Sequence, residues 1–192
     1  MPTLQTFARV ALGGLALAEG AFALARWQAR RETYDRAARR AATLHRPLVV
    51  VGDPDGGAHT RLYRAYGCGD LCVDITGCPL CKVVQVADIT AGPVPGIADD
   101  SAVVFVSCVL EYVGDAAAAV QELRRIAGSP DNLFDVSVQP WTLTAALYPG
   151  ARWTTVRDTD QMTFTRVSRP RKALTAGALA GLAAAALWPN QG

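Results

Sequence analysis

The chain has 192 residues and a formal net charge of +2, a length that suits one domain of ordinary size with short terminal extensions. The charge is segregated along the chain. Arg26 to Arg46 hold seven arginines and two acids, residues 166–172 hold four basic residues, and residues 47–165 hold seven basic against fourteen acidic residues. A nucleic-acid-binding domain carries positive charge on its binding surface, so the acidic middle disfavours DNA or RNA as a partner.

Two apolar segments lie near the ends of the chain. Residues 10–25 contain Glu19 as their only charged residue, and residues 173–188 contain none. A few flanking residues bring each close to the ~20 residues of a membrane-spanning helix, and the Arg-rich stretches face the middle of the chain. This bias predicts both termini outside and a cytoplasmic middle domain. The partners would be the lipid bilayer and other membrane helices or subunits, which the Gly177–Gly181 spacing favours.

Other interpretations of the terminal segments stay open. Either segment could be an interfacial or partner-buried helix, which Glu19 favours for the first. The first could also be a signal peptide that ends in small residues at 23–25. On the membrane interpretation we divide the chain into an N-terminal hydrophobic helix with its Arg-rich extension (1–42), a middle domain (43–170) and a C-terminal hydrophobic helix (171–192).

The middle of the chain alternates apolar strands with helix-like stretches. The strands are predicted around LVVV, LCVDI, VVQVADI, AVVFVS and NLFDVSV, and a helix over residues 115–127 is closed by Gly128. Strands that are almost wholly apolar indicate a mainly parallel sheet covered on both faces. Residues 151–168 alternate as a terminal antiparallel pair would. Asp53, Asp74 and Asp88 fall at strand ends, where ligands of such sheets bind.

Residues 83–128 resemble one known family, the class I S-adenosylmethionine-dependent methyltransferases. The stretch contains an acid after the third strand, the strand end LEYV at 110–113, and a following helix with ELRR. The resemblance covers roughly residues 47–168 and implies an α/β, Rossmann-like domain. It implies that a glycine loop approaches the methionine part of the cofactor, that Asp74 holds the ribose and that Asp88 with Ile89 flanks the adenine. The implied cofactor-binding residues are Gly52, Asp53, Asp55, Gly56, Gly57, Asp74, Asp88, Ile89, Ser107 and Cys108.

Two departures from the family pattern set the expected function. Asp53 and Asp55 replace glycines of the loop, and they place negative charge near the methionine carboxylate of the cofactor. Only thirteen residues separate Asp74 from Asp88, too few for a crossover helix, so a loop is predicted there. We therefore expect a methyltransferase-like pseudoenzyme with impaired cofactor binding and a structural or interaction role. The alternative is an active methyltransferase for a small or lipid-like substrate near the membrane, with Glu111 and Tyr112 as catalytic candidates by position alone.

Four of the five cysteines are concentrated in fourteen residues. Cys68, Cys72, Cys78 and Cys81 follow the pattern C-x3-C-x5-C-x2-C. Four thiolates this close predict a zinc site or an iron–sulfur cluster, in which the metal would hold the loop that replaces the crossover helix. One or two disulfides, or reduced structural cysteines, are the alternatives, and a cytoplasmic location disfavours disulfides.

Overall fold

The computed structural model describes residues 4–55, 64–136, 153–158 and 161–166. Its elements are α1 (Leu4–Leu44), β1 (Leu48–Val51), β2 (Leu71–Asp74), β3 (Val84–Val86), β4 (Val103–Ser107), α2 (Ala116–Ala127), β5 (Leu133–Val136), β6 (Trp153–Asp158) and β7 (Gln161–Arg166). The predicted C-terminal hydrophobic helix, with Gly177 and Gly181, lies outside the described residues.

Five strands form one parallel sheet in the order β3-β2-β1-β4-β5. The prediction of a mainly parallel sheet is confirmed. β1 and β4 are buried along their whole length, because they occupy the centre and both of their faces are covered. β6 and β7 pair with each other as antiparallel strands, in a separate two-stranded sheet.

Helices cover the two faces of the sheet. Side chains alternate along a strand, so Val49 and Val51 face one way and Leu48 and Val50 the other. The first face packs against α2, and the second packs against the C-terminal half of α1. α2 has the predicted ends: the Asp115 side chain accepts from Ala118 N, and Gly128 closes the helix in the left-handed conformation.

α1 is one continuous helix of 41 residues, about 60 Å long at 1.5 Å per residue. Its two halves have different surroundings. Tyr34, Ala37, Ala38, Ala41 and Leu44 recur at helical spacing and pack on the sheet, so the Arg-rich part of α1 belongs to the folded unit. The apolar half is exposed, with Leu17 at 77%. Among the described residues, this helix is long and apolar enough to span a membrane.

The connection between β2 and β3 is short and has no helix. Residues 75–83 join two adjacent parallel strands without a helix or strand of their own, as the spacing of Asp74 and Asp88 predicts. The apolar side chains that a crossover helix would cover are exposed here. Ile75, Leu80, Val83, Val84 and Val86 are between 37% and 70% exposed.

Candidate functional site

A cleft of ≈ 470 Å³ lies at the carboxyl ends of β1 to β4. Parallel strands end at the same edge of a sheet, and β1 and β4 are sequence-distant neighbours, so the connections after them diverge and leave a crevice. Asp74 and Asp88 both line it, as the sequence predicts. The full lining is Val51, Gly52, Val73, Asp74, Ile75, Ala87, Asp88, Ile89, Thr90, Cys108, Val109, Tyr112, Val113 and Gly114.

Asp74 is held by three hydrogen bonds from the protein. Its Oδ2 accepts from the backbone N of Asp53 at 3.1 Å. Its Oδ1 accepts from the backbone N and from the hydroxyl of Thr76, both at 2.8 Å. A carboxylate offers about four lone-pair positions, so about one is left for a ligand. Asp74 can therefore hold one hydroxyl of a sugar well and a second one poorly.

Asp88 repeats half of this arrangement. Its Oδ1 accepts from the backbone N of Thr90 at 2.8 Å and from its hydroxyl at 2.7 Å. The backbone N–H, followed by the hydroxyl, holds the pKa of Asp88 below its usual range, so the carboxylate is ionised at neutral pH. The adjacent Ile89 is buried and also lines the cleft. Thr76 and Thr90 were not predicted from the sequence, although the repeated tripeptide Asp-Ile-Thr is a signal for both.

The turn after β1 forms the floor of the cleft. Gly52 has a φ of +100°, and its N–H donates to the carbonyl of Val73 at 2.9 Å. A Cβ there would come within 2.7 Å of Val109 Cγ2. Only glycine combines this backbone conformation with such a close approach, so Gly52 determines the shape of this part of the cleft, and its predicted contact with a cofactor stays a prediction.

The two acids of the glycine loop do not line the cleft. Asp53 Oδ1 accepts from the backbone N of Asp55 at 3.0 Å. Asp55 lies 3.1 Å from the guanidinium of Arg64, an ion pair that the sequence did not predict because the partners are nine residues apart. Arg64 offsets part of the negative charge expected there. Gly56 and Gly57 lie outside the described residues.

Cys108, at the end of β4, lines the cleft, whereas Ser107 is buried beneath it. Arg30 reaches Cys108 from α1, with its Nη2 2.7 Å from the sulfur. Desolvation raises the pKa of the Cys108 thiol, with Glu111 acting in the same direction and Arg30 opposing both. Cys108 is therefore a neutral thiol at pH 7. Arg30 was missed because its partner is 78 residues away, although it shares the helical stripe of Tyr34 and Ala37.

An aromatic cluster supports the end of β4 on the α1 side. Phe105 lies between Tyr34 and Tyr66, with ring centroids 5.4 and 4.9 Å away, and such pairs contribute about 0.5–1.5 kcal/mol each beyond burial. Burial raises the pKa of Tyr66 to about 12, and the Ser107 hydroxyl opposes that rise. Tyr66 therefore stays protonated and serves packing. Of the two catalytic candidates, Tyr112 lines the cleft and Glu111 is buried below its surface.

The four clustered cysteines lie beside the β2–β3 connection and are joined as two disulfides, Cys68–Cys81 and Cys72–Cys78. This pairing corresponds to one of the three alternatives that the sequence left open. A disulfide sulfur is not a thiolate ligand, so the predicted zinc or iron–sulfur site stays a prediction about the reduced chain. Arg64 Nη2 lies 3.0 Å from the sulfur of Cys68 and 3.9 Å from that of Cys81.

Comparison with known proteins adds no relative: no family model, no curated protein and no solved structure matches this chain.

Proposed function

We propose that the chain is a membrane-anchored, methyltransferase-like protein whose cleft accepts the nucleoside half of an S-adenosylmethionine-type ligand, and whose main role is structural or in partner binding. The observation that carries the proposal is the cleft at the carboxyl ends of four parallel strands, with Asp74 and Asp88 both in its lining. The strand order β3-β2-β1-β4-β5 agrees with the first five strands of doubly wound nucleotide-binding sheets. The cleft volume lies within the usual range for small-molecule sites.

The nucleoside end of such a ligand has suitable partners. Asp74 retains about one acceptor position for a ribose hydroxyl, and Asp88 is an exposed carboxylate next to the apolar Ile89. An adenine ring could pack on that apolar side chain while its amino group donates to a nearby acceptor. These groups favour adenosine without requiring the amino-acid part of the cofactor.

The amino-acid end is poorly provided for, which favours the structural role. Asp53 and Asp55 stand where the family has glycines, and the N–H of Asp53 is already committed to Asp74. The exposed apolar side chains of β3 and its preceding connection form a patch of the kind that marks protein or membrane contacts. β3 is also an edge strand of the five-stranded sheet, with backbone groups available to a partner.

An active methyltransferase is the second candidate. The ion pair of Arg64 with Asp55 favours it, because it removes part of the repulsion toward a methionine carboxylate. On either candidate, the exposed half of α1 anchors the chain in a bilayer and the Arg-rich flank places the domain on the cytoplasmic side.

Calorimetric titration of the full chain in lipid nanodiscs tests the proposal. We expect adenosine and S-adenosylmethionine to bind with affinities within a few-fold of each other, because the amino-acid half adds little. Asp74→Asn should weaken adenosine binding roughly tenfold, since a bond to a charged acceptor is worth about 1.5–3 kcal/mol. Asp131→Asn, an exposed acid near the opposite edge of the sheet, is the matched control.

Two other results would favour the active enzyme or overturn the nucleoside site. Binding of S-adenosylmethionine much tighter than that of adenosine, with methyl transfer to a lipid extract, would establish the active enzyme. Absence of heat with both ligands, in protein whose circular dichroism is that of a folded α/β domain, would overturn the nucleoside site.

A further inference from the structure

Four cysteines lie close together at the β2–β3 connection. Cys68 precedes β2, Cys72 lies on it, and Cys78 and Cys81 belong to the connection. The sulfur atoms of Cys72, Cys78 and Cys81 all lie within 4.8 Å of one another, and the sulfur of Cys68 is bonded to that of Cys81. The two disulfides are therefore neighbours, and the loop that Cys72–Cys78 closes lies within the loop that Cys68–Cys81 closes.

The spacing suits one metal ion. Zinc binds thiolates at about 2.3 Å in a tetrahedron, which places the sulfur atoms about 3.8 Å apart. The sulfur of Cys81 already lies within 4.8 Å of those of Cys72 and Cys78, and the sulfur of Cys68 is bonded to it. Reduction would therefore free three thiolates that are close together and a fourth, that of Cys68, next to them. A buried or half-buried set of four sulfurs without competing oxygen ligands selects zinc over magnesium or calcium.

Arg64 supplies a positive charge beside this cluster. Its guanidinium contacts the sulfurs of Cys68 and Cys81. A cation gains little from a neutral disulfide. Zn²⁺ with four thiolates carries a net charge of −2, and a guanidinium at hydrogen-bonding distance stabilises it. Arg64 also pairs with Asp55, so it links the cluster to the loop at the cleft.

We infer that these four cysteines are a redox-dependent zinc site. In the reduced chain, Cys68, Cys72, Cys78 and Cys81 bind one Zn²⁺ as thiolates and hold the connection that lacks a crossover helix. Two equivalents of a low-molecular-weight disulfide oxidise the site: the four thiolates lose four electrons and form the two S–S bonds, four protons are taken up by the four product thiols, and Zn²⁺ is released. The reducing side of the membrane, where the Arg-rich flank predicts the domain, favours the zinc form.

The test uses the full chain in detergent micelles, reduced with a phosphine, loaded with zinc chloride and desalted under inert gas. We expect about one zinc per chain by mass spectrometry. Oxidised glutathione should release the zinc and leave only Cys108 reactive toward a thiol reagent. Cobalt loaded instead of zinc should give the visible and near-ultraviolet bands of a tetrahedral thiolate site.

Variants separate the site from general folding. Cys78→Ser should lose the zinc, whereas Cys108→Ser should keep about one per chain. Arg64→Gln should weaken zinc binding several-fold. Should Cys78→Ser fail to fold, the cobalt spectrum of the unmodified chain decides alone. A reduced, folded chain that binds neither metal, or one that keeps its zinc after all four cysteines are oxidised, would overturn the inference. Neither readout depends on nucleoside binding.

Discussion

At the scale of single residues, the cleft is organised by a tripeptide that occurs twice. Asp74-Ile75-Thr76 follows β2, and Asp88-Ile89-Thr90 follows β3. In each, the threonine N–H and hydroxyl bind one carboxylate oxygen of the aspartate, which fixes the side-chain rotamer before any ligand arrives. Within the part of the chain that the structure describes, Asp74 accepts a further bond, from Asp53 N, and Asp88 does not. The two aspartates are therefore oriented in the same way by a threonine, but Asp74 has fewer free acceptor positions for a ligand than Asp88. This difference is why we expect the cleft to recognise a nucleoside only in part.

Gly52 provides a residue-scale prediction about the floor of the cleft. In Gly52→Ala, the new methyl group would lie 2.7 Å from Val109 Cγ2 and 3.2 Å from the Ser107 carbonyl. Gly92→Ala is the matched control, because Gly92 also has a positive φ, of +130°, but has nothing within 4 Å of its added Cβ. We expect Gly52→Ala to lower the free energy of unfolding in urea by about 1–3 kcal/mol more than the control, the usual cost of overpacking.

Equal losses in the two variants would mean that the backbone conformation alone matters and that the floor adapts to the methyl group. Loss of nucleoside binding in Gly52→Ala without loss of stability would mean that the Val109 side chain moves away from the new methyl group and into the cleft.

At the scale of elements, α2 holds the long connection between β3 and β4. Glu122 is buried at 6% exposure, and its Oε1 accepts from Val94 N at 2.8 Å. Arg125 binds Glu122 through two nitrogens at 2.7 Å and also binds Asp99 and the carbonyl of Ile97. One turn of α2 thus holds this connection at Val94, Ile97 and Asp99.

Glu122 therefore predicts a pH-dependent stability. Its hydrogen bonds with Arg125, and then the Val94 N–H, hold the pKa of Glu122 below its ordinary value. A lowered folded-state pKa gives a stabilisation that is complete above the unfolded-state pKa and is lost as the pH falls through the folded-state pKa. At pH 7, Glu122→Gln should lower the free energy of unfolding by about 1.5–3 kcal/mol, the range for bonds to a charged group.

The measurement is urea unfolding of both proteins from neutral to acid pH. The difference between them should begin to shrink as the pH falls through the unfolded-state pKa of Glu122 and should be largely lost once the pH is below its folded-state pKa. Glu32→Gln, on an exposed face of α1, is the control and should change little. A difference that is constant with pH would show that the lost packing, and not the charge, causes the effect.

At the scale of the whole molecule, local sequence patterns predict the sheet, but they do not predict contacts between residues that are far apart in the sequence. The runs LVVV and VVFVS indicate buried strands because both faces must be apolar, and Asp115 with Gly128 delimits α2 by capping chemistry alone. The C-terminal half of α1 was predicted as an Arg-rich extension of the membrane segment. Arg30 and Arg40 on α1 instead contact Cys108 and Asn132, and Arg46, just after the helix, pairs with Asp100. The partners in each pair are far apart in the sequence, so no short stretch of sequence reveals the contact.

These contacts bear on membrane orientation, since part of the Arg-rich flank is used inside the domain. Arg26, Arg31, Arg36 and Arg39 remain on α1 outside the three pairs just described. We expect the remaining positive charge still to keep the domain cytoplasmic and the N-terminus outside. Leu17 tests this because it is 77% exposed, so Leu17→Lys removes little packing within the chain. In a bilayer the same change costs about 2.5–3.5 kcal/mol near the helix centre.

The experiment attaches an epitope to the N-terminus and treats intact cells with protease. The epitope should be digested in the unmodified chain, because the N-terminus has crossed the membrane. It should be protected in Leu17→Lys, in which the first segment no longer crosses. Leu80→Lys, also 70% exposed but located on the β2–β3 connection, should behave like the unmodified chain. Protection of the epitope in the unmodified chain would contradict the orientation, because α1 would then leave both of its ends on the cytoplasmic side.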